Sequence, residues 1–524
     1  MAGILNLLEI LQLPETTIDV ETILTQFLTL SDADKATCRL NTAERIFPAI
    51  FGDDAIIHSD VNFSTQNETT WSTNCQLAPG IIVTPQTPRD VGKVLALCRF
   101  LDIKFSVRSG GHLHNPGFTS NNGGMVLLMK RFNTVSLSED RLTADIGVGQ
   151  TWFDVYKALE KYGLTVTGGR QPSVGVAGLL LGGGLAFQNS ERGLSSHGVV
   201  EYEVNGEWAF LMLVRNADFV PKIVLADSTV AKVNATSNKD LFWALKGGGP
   251  NFGVVTKVTM STLPNNIWCE GLIYSPGENT NLFKSIMNYH KASEKDPKAN
   301  LICHFMEDAT LFIFLYAGTV DHKPAVFDTF DKIECLTRVL PSKIYTVFEV
   351  VNLFANFTTT EPKSHDMRVM TSLPDLDVYN AIESCRLEQL EAVKSVHGAR
   401  LIMNIQPISS SASRACDNQG GNPLGLKPES QQWLLVMVDW SHPEDEATML
   451  AASRKIIDQA EFVAKKNGTY LDFKYSNYSS RDQDPLAAYG SENLSKLRSV
   501  AKEVDPHGVF QKLQNDGWLL SKTA

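Results

Sequence analysis

A histidine closing a glycine-rich turn, Val107-Arg108-Ser109-Gly110-Gly111-His112, is the residue of this chain best placed to do chemistry. Glycine lacks a Cβ, so successive amides can turn toward an anion or a flat ring. A neutral imidazole beside such a cradle is a nucleophile. A second run, from Gly168 through Arg170, Gln171, Ser173, Val174, Gly175 and Gly178 to Gly182-Gly183-Gly184, offers the same backbone property at greater length. Neither run has the Gly-x-Gly-x-x-Gly spacing of a dinucleotide turn, nor the Gly-Lys-Ser/Thr of a Walker loop. His112-Leu113-His114 presents two imidazoles without an identifiable third ligand, so no metal is expected.

The elements around these runs are those of an α/β chain. Apolar Ile81-Ile82-Val83 predicts a strand, and Pro85 to Asp90 a turn that caps a helix over Val91 to Leu101. Lys104 to Arg108 is a strand leading into the first glycine turn. Met125 to Met129, Thr134 to Leu137 and Arg141 to Val148 follow as strands, and Trp152 to Tyr162 as a helix ending at Gly163. Val199 to Val204 and Val254 to Met260 are strands, separated by a short helix, Asp240 to Lys246. Residues 1 to about 50 read as helices. From residue 265 to about 465, strands alternate with helices, which predicts an antiparallel sheet with helices on one face. Ser409 to Pro428 reads as a loop.

Composition narrows the classes. The chain has 524 residues, 43% hydrophobic and 20% charged, enough for two domains with large cores. A net charge of −11 without a basic block argues against nucleic acid. No run is long enough to span a bilayer. Met1 to Leu11 has no basic n-region and favours an amphipathic helix over a signal peptide, which leaves the compartment open and leans intracellular. Eight scattered cysteines without a CxxC pair argue against zinc and leave disulfides undecided. Seven sequons, at Asn62, Asn67, Asn234, Asn356, Asn467, Asn477 and Asn493, matter only in a secreted chain.

Taken in order, four runs are specific: Arg-Ser-Gly-Gly-His at 108–112, the glycine run at 174–184, Trp243-Ala-Leu-Lys-Gly-Gly-Gly-x-Asn251-Phe-Gly253, and Tyr475-x-Asn477-Tyr478. In these the chain resembles the FAD-linked oxidases of the vanillyl-alcohol oxidase superfamily, berberine-bridge-enzyme-like branch, in its fungal form, from about residue 75 onward. The resemblance implies FAD bound covalently, its 8α-carbon on His112, with Arg108, Ser109, Gly110 and Gly111 in the pyrophosphate turn. Relatives often add a second link through a cysteine in Gly-x-Cys-Pro-Thr-Val-Gly; Gln171 stands there, so a single link is expected. Val174 matches the residue that leaves room for O2 in oxidases. Gly175, Gly178, Gly183 and Gly184 continue the cofactor loop, and Asn251, Gly253 and Val254 match the entry to the adenine end. Tyr475, Asn477 and Tyr478 match a strand returning to the flavin, with Tyr478 as base and Tyr475 as a substrate or flavin contact. A free phenol ionises near ~10, so such a base needs its phenolate stabilised.

One departure stands out. Family members run on as Tyr-Glu-Val-Val-Leu-Ala-Asp, whereas here Tyr202-Glu203 and Ile223-Val224-Leu225-Ala226-Asp227 are separated by Val204 to Lys222, with apolar Trp208, Phe210, Leu211, Met212 and Leu213. Val204-Asn205 can be coded GUA-AAU, a splice donor; Ala217-Asp218 can contain a CUGAC branch sequence, and Lys222 as AAG an acceptor. Removing these whole codons restores the family run, so the segment is expected to be a retained intron, with a genuine functional loop as the alternative.

The expected architecture is α+β: an N-terminal helical extension (1–74), a two-lobed PCMH-type FAD-binding domain (75–264), a substrate domain with an antiparallel sheet flanked by helices (265–465), and a C-terminal segment returning to the flavin (466–524). The expected activity is hydride transfer from a small metabolite of secondary metabolism to flavin N5, with O2 reoxidising the flavin. A secreted carbohydrate oxidase and an FAD-binding protein without turnover are the alternatives.

Overall fold

The computed structural model describes residues 2–12, 19–205, 231–355, 361 and 363–524. A first sheet places Ile81–Val83, Met125–Leu128 and Phe105–Arg108 in parallel, with Ala55–Ile57 antiparallel at its edge. Helix Pro88–Leu101 makes the crossover. Thr87 caps it, its hydroxyl accepting from Asp90 N while the Asp90 carboxylate accepts from Thr87 N. Val91, Val94, Leu97, Cys98 and Leu101 on one side of that helix are buried.

A second, antiparallel sheet has the order Val135–Leu137, Thr143–Gly147, Val254–Ser261, Val199–Asn205, Ala231–Asn234. The third has eight antiparallel strands in the order Thr337–Thr346, Asn266–Tyr274, Thr310–Ala317, Ala299–Phe305, Arg400–Ile408, Gln431–Trp440, Ser364–Ser372 and Tyr470–Leu471. Alternation sends Leu401, Met403 and Ile405 into a core under helices Asn279–Ser293, Leu376–Val393 and Glu446–Asn467. The opposite face, with Ile302, Ile313, Val369 and Trp433, joins the core shared by the first two sheets. The α+β architecture expected from the sequence is the one observed.

Three details differ from the expectation. The serine-rich stretch 409–428 contains a helix, Ser410–Asn418: Ser409 caps it by accepting from Ser411 N, and the small residues Ser410, Ala412, Ser413 and Cys416 are its buried side. Tyr475 to Tyr478 is no strand but a 3₁₀ turn over Ser476–Tyr478, preceded by the two-residue strand Tyr470–Leu471. The N-terminal segment is no appendage: Ala55–Ile57 is part of the first sheet, and Val20, Leu24, Phe27, Ile46 and Phe47 share the core beneath the first two sheets.

Of the 204–222 segment, Val204 and Asn205 complete strand Val199–Asn205, and residues 206–222 lie outside the described residues, as does the sequon at Asn356. All eight cysteines are free thiols. Among the described residues no helix is long and apolar enough to cross a membrane, and no group of three or more His, Cys, Asp or Glu side chains is arranged to hold a metal ion.

Candidate active site

The two glycine runs meet backbone to backbone. A Cβ on Gly110 would lie 2.5 Å from Gly175 Cα, and one on Gly175 only 2.4 Å from Gly110 N, so neither position admits a side chain. The second run is held from behind: Trp152 N donates to Val174 O at 3.0 Å and Val176 N to Gln150 O at 3.1 Å. Trp152 fills the space beside Gly168 and Gly169, and Tyr156 donates to Gly169 O at 2.8 Å. Ser109 Oγ donates to Val148 O. The amides of Gly110, Gly111 and His112, in contrast, have no protein acceptor among the described residues.

His112 is half-buried, and its imidazole is held neutral. Loss of water pushes its pKa down to about 3, and the neighbouring imidazoles of His365 and His114 add to the effect. Its Nδ1 lies 3.2 Å from Ser173 Oγ, and its ring stacks on Trp71, with centroids 4.2 Å apart and planes 13° from parallel. The other face of Trp71 carries His365, at 3.8 Å and 2°. His365 Nδ1 is bonded to Asp439 Oδ1 at 2.7 Å.

The tyrosines stand at the junction with the eight-stranded sheet. Tyr478 OH accepts from Arg170 Nη2 at 2.9 Å, and Arg170 Nη1 donates to Gln406 Oε1 at 2.6 Å. Gln406 is fixed in turn by donating to Leu301 O at 3.1 Å. Tyr475 is buried, stacked on Trp433 at 4.7 Å and edge-on to Tyr478 at 4.8 Å. Burial pushes its phenol far above the ordinary value, so Tyr475 stays protonated. His114 and Asn115 both bond Ser479 O, at 3.1 Å each, and so tie this turn to the first glycine loop.

Other residues singled out in the sequence have mostly architectural side chains. Arg108 is fully buried: Nε donates to Thr119 O and Nη1 to Gln66 O and Asn67 O, which anchors the chain leading to Trp71, while Nη2 is buried without a partner. Asn251 donates to Gly248 O and Trp518 O and accepts from Gln511 Nε2 and Leu520 N, which saturates its amide. Asn477 donates to Leu179 O and Tyr475 OH and fills the space beside Gly182. Gly183 and Gly184 have φ of +98° and +80° and pack against Leu194 and Ser195. Gly253 leads into the strand that begins at Val254, which pairs with Asn205. Val174 is half-buried, and Gly178 is exposed, with no atom within 4 Å of where a Cβ would sit.

Sequence reasoning passed over Arg170, Trp71, His365 and the sheet residues His304, Asn404 and Gln406. His304 and Asn404 are register partners on neighbouring strands, on the face that carries Gln406. His304 is kept neutral, its pKa lowered to about 4 by burial and by the positive charges of Arg170 and Arg400. Arg170 lay in plain view inside the second glycine run; the sheet residues carry no local signal, since only strand register brings them to the site.

These features fit a flavin nucleotide: amides free to donate to a pyrophosphate, a side-chain-free approach at Gly110, Gly175 and Gly178, and a neutral imidazole at the loop end. Residues 79–205 match an FAD binding domain family. An FAD-dependent monooxygenase of Arthrobotrys oligospora is 34% identical over 479 residues, covering 91% of this chain and 89% of the relative. Among solved structures, 6-hydroxy-D-nicotine oxidase of Arthrobacter nicotinovorans superposes with a TM-score of 0.72 at 22% identity, covering 89% of this chain and 98% of that one. Glucooligosaccharide oxidase of Acremonium strictum, which carries a 6-S-cysteinyl, 8α-N1-histidyl FAD, superposes at 0.69 with 18% identity, covering 92% and 99%. The chain belongs to the family of that fungal FAD-dependent monooxygenase, carries an FAD binding domain, and shares its fold with the FAD oxidases among the solved structures.

Proposed function

We propose that the protein is an FAD-dependent oxidase of a small organic metabolite of fungal secondary metabolism, with its flavin attached through His112 alone and Tyr478 as the base. FAD, when bound, supplies the two-electron acceptor and passes the electrons to O2. The observation that carries the reading is the Tyr478–Arg170–Gln406 bridge, which puts a phenol oxygen beside a cation where the glycine loop meets the sheet. Tyr478 takes the substrate proton in its phenolate form, and the Arg170 guanidinium beside it is the counter-charge to that anion before the proton arrives. Trp433 and Tyr475 pack behind that ring and exclude water on that side. His304, Asn404 and Gln406 offer polar groups to orient a substrate on the sheet face. His112 is the nucleophilic imidazole, and Gln171, exposed in the loop, has no sulfur for a second link.

The likeness to a glucooligosaccharide oxidase keeps a carbohydrate substrate as the second reading. The test is twofold. Protein denatured on a gel is examined for flavin fluorescence, which is expected on the band and lost in His112→Ala. Peroxide release is then measured on panels of sugars and of aromatic or polyketide alcohols. Release on sugars alone sinks the metabolite reading, and flavin freed by denaturation sinks the covalent one.

A further inference from the structure

The imidazole of His112 is oriented from across the lobe boundary. A ring nitrogen attacks along its in-plane lone pair, so fixing the ring plane fixes the line of attack. Trp71 sets that plane by stacking at 4.2 Å, and Ser173 Oγ sets the rotation within it at 3.2 Å from Nδ1. Trp71 is itself held between two rings, and the second belongs to the substrate sheet: His365 lies on strand Ser364–Ser372 and its carboxylate partner Asp439 on strand Gln431–Trp440. Ser72 Oγ, next to Trp71, accepts from His365 N at 2.8 Å, so a hydrogen bond as well as the ring stack joins the two segments. Asp439 is buried, with Arg400 3.5 Å away on its other oxygen, so the far end of the stack is anchored by charge.

We propose that Trp71, His365 and Asp439 are positioning residues for flavin attachment, so that the His112 bond forms only once the substrate sheet has docked on the flavin lobes. This rests on the reading of His112 as the attachment site. In the step, one imidazole nitrogen forms a bond to the 8α-carbon. One proton leaves that carbon and one the imidazole, and their electron pair remains on the ring system, which O2 then oxidises, giving hydrogen peroxide. Ordering by stacking is the contribution of this chain; the aromatic faces neither give nor take a proton.

The experiment uses the full chain, produced under riboflavin limitation and incubated with FAD. Total bound flavin is read before denaturation, and the fraction that stays with the protein after acid precipitation is read over time. Trp71→Leu and His365→Ala are expected to bind FAD yet to attach it at least tenfold more slowly than the wild type, and Trp71→Phe to recover part of the rate. Asp439→Asn is expected to lie between. If Trp71→Leu and His365→Ala attach flavin at the wild-type rate, the proposal is overturned. Should Trp71→Leu fail to bind FAD, Trp71→Phe and His365→Ala decide it: wild-type rates in both overturn it, and slowed attachment with retained binding supports it. His112→Ala with acid-stable flavin would instead overturn the attachment site itself, which separates that failure from this one.

Discussion

Arg170 and Tyr478 share a hydrogen bond of 2.9 Å, donated by the guanidinium to the phenol oxygen. A charged donor at that oxygen is worth most while the oxygen is the anion that will take the proton. Tyr478→Phe is therefore expected to slow flavin reduction by about 100-fold or more, in the range of a lost general base. Arg170→Gln removes a charge-assisted bond of ~1.5–3 kcal/mol and is expected to cost ~10- to 100-fold. Anaerobic stopped-flow with a turnover substrate measures both; unchanged reduction in Tyr478→Phe would remove the base assignment.

The contact between Gly110 and Gly175 makes a sharper structural prediction. A methyl at either position would meet the facing backbone at about 2.5 Å or less. Backbone cannot swing aside as a side chain can, so Gly110→Ala is expected to destabilise by ~1–3 kcal/mol and to reduce bound FAD. Gly123→Ala, at φ +68° but with no atom within 4 Å of its Cβ position, serves as a control for backbone strain alone. Thermal melts and flavin absorbance per protein distinguish the two.

Acid lability follows from the buried histidines. His114, His197 and His290 are buried, and desolvation lowers their pKa values to about 4, 3 and 3. In the unfolded chain histidine titrates near ~6.5, so below that pH the unfolded state binds more protons. The stability these residues retain in their neutral form is fully present above ~6.5 and is lost as pH falls toward 4, at up to ~1.4 kcal/mol per pH unit for each. Asp366 acts in the opposite sense: burial raises its pKa to about 7, so the folded state takes up that proton first and regains stability between 7 and ~4. His112 and His304, likewise held neutral, act in the same sense as the other histidines, so five imidazoles against one carboxyl give net acid destabilisation. Denaturant midpoints measured from pH 7.5 to 4.5 are expected to fall, and a flat profile would contradict the buried neutral state.

The 204–222 segment remains a proposal with its own test. Val204 is a core residue paired with Val255, and the match to the FAD binding domain family ends at residue 205. In a chain lacking Val204 to Lys222, Ile223 would follow Glu203, and an aliphatic β-branched side chain would again take that strand position. Sequencing the transcript is expected to show these codons absent; a mature message that includes them sinks the retained intron.

Much of the fold was legible because it is local. The capping box at Thr87 and Asp90, the strand before Arg108 and the glycine after the Trp152 helix are written in contiguous residues. The glycine runs announced a close approach, and their mutual contact explains why both are needed. What the sequence hid is non-local. Trp71 and His365 are nearly three hundred positions apart, and their parallel stack depends on two lobes meeting. Asn251 looked like a cofactor contact because it sits in a motif, yet its amide is saturated by Gly248 O and the C-terminal tail. The serine-rich helix at 410–418 was hidden because its buried side is made of small residues rather than large apolar ones.

The edge strand Phe105–Arg108 is closed by the far end of the chain: Phe105 N donates to Leu513 O at 2.9 Å and Asn515 N to Phe105 O at 2.7 Å. The eight-stranded sheet is thus threaded as an insertion within a unit whose first and last pieces are some four hundred residues apart. On the ribosome, the loop that ends in His112 emerges early and waits for the rest of its own domain through most of translation. The nascent chain passes that interval with an unpaired strand edge, and a chaperone that shields it is a sensible co-expression partner for making the protein.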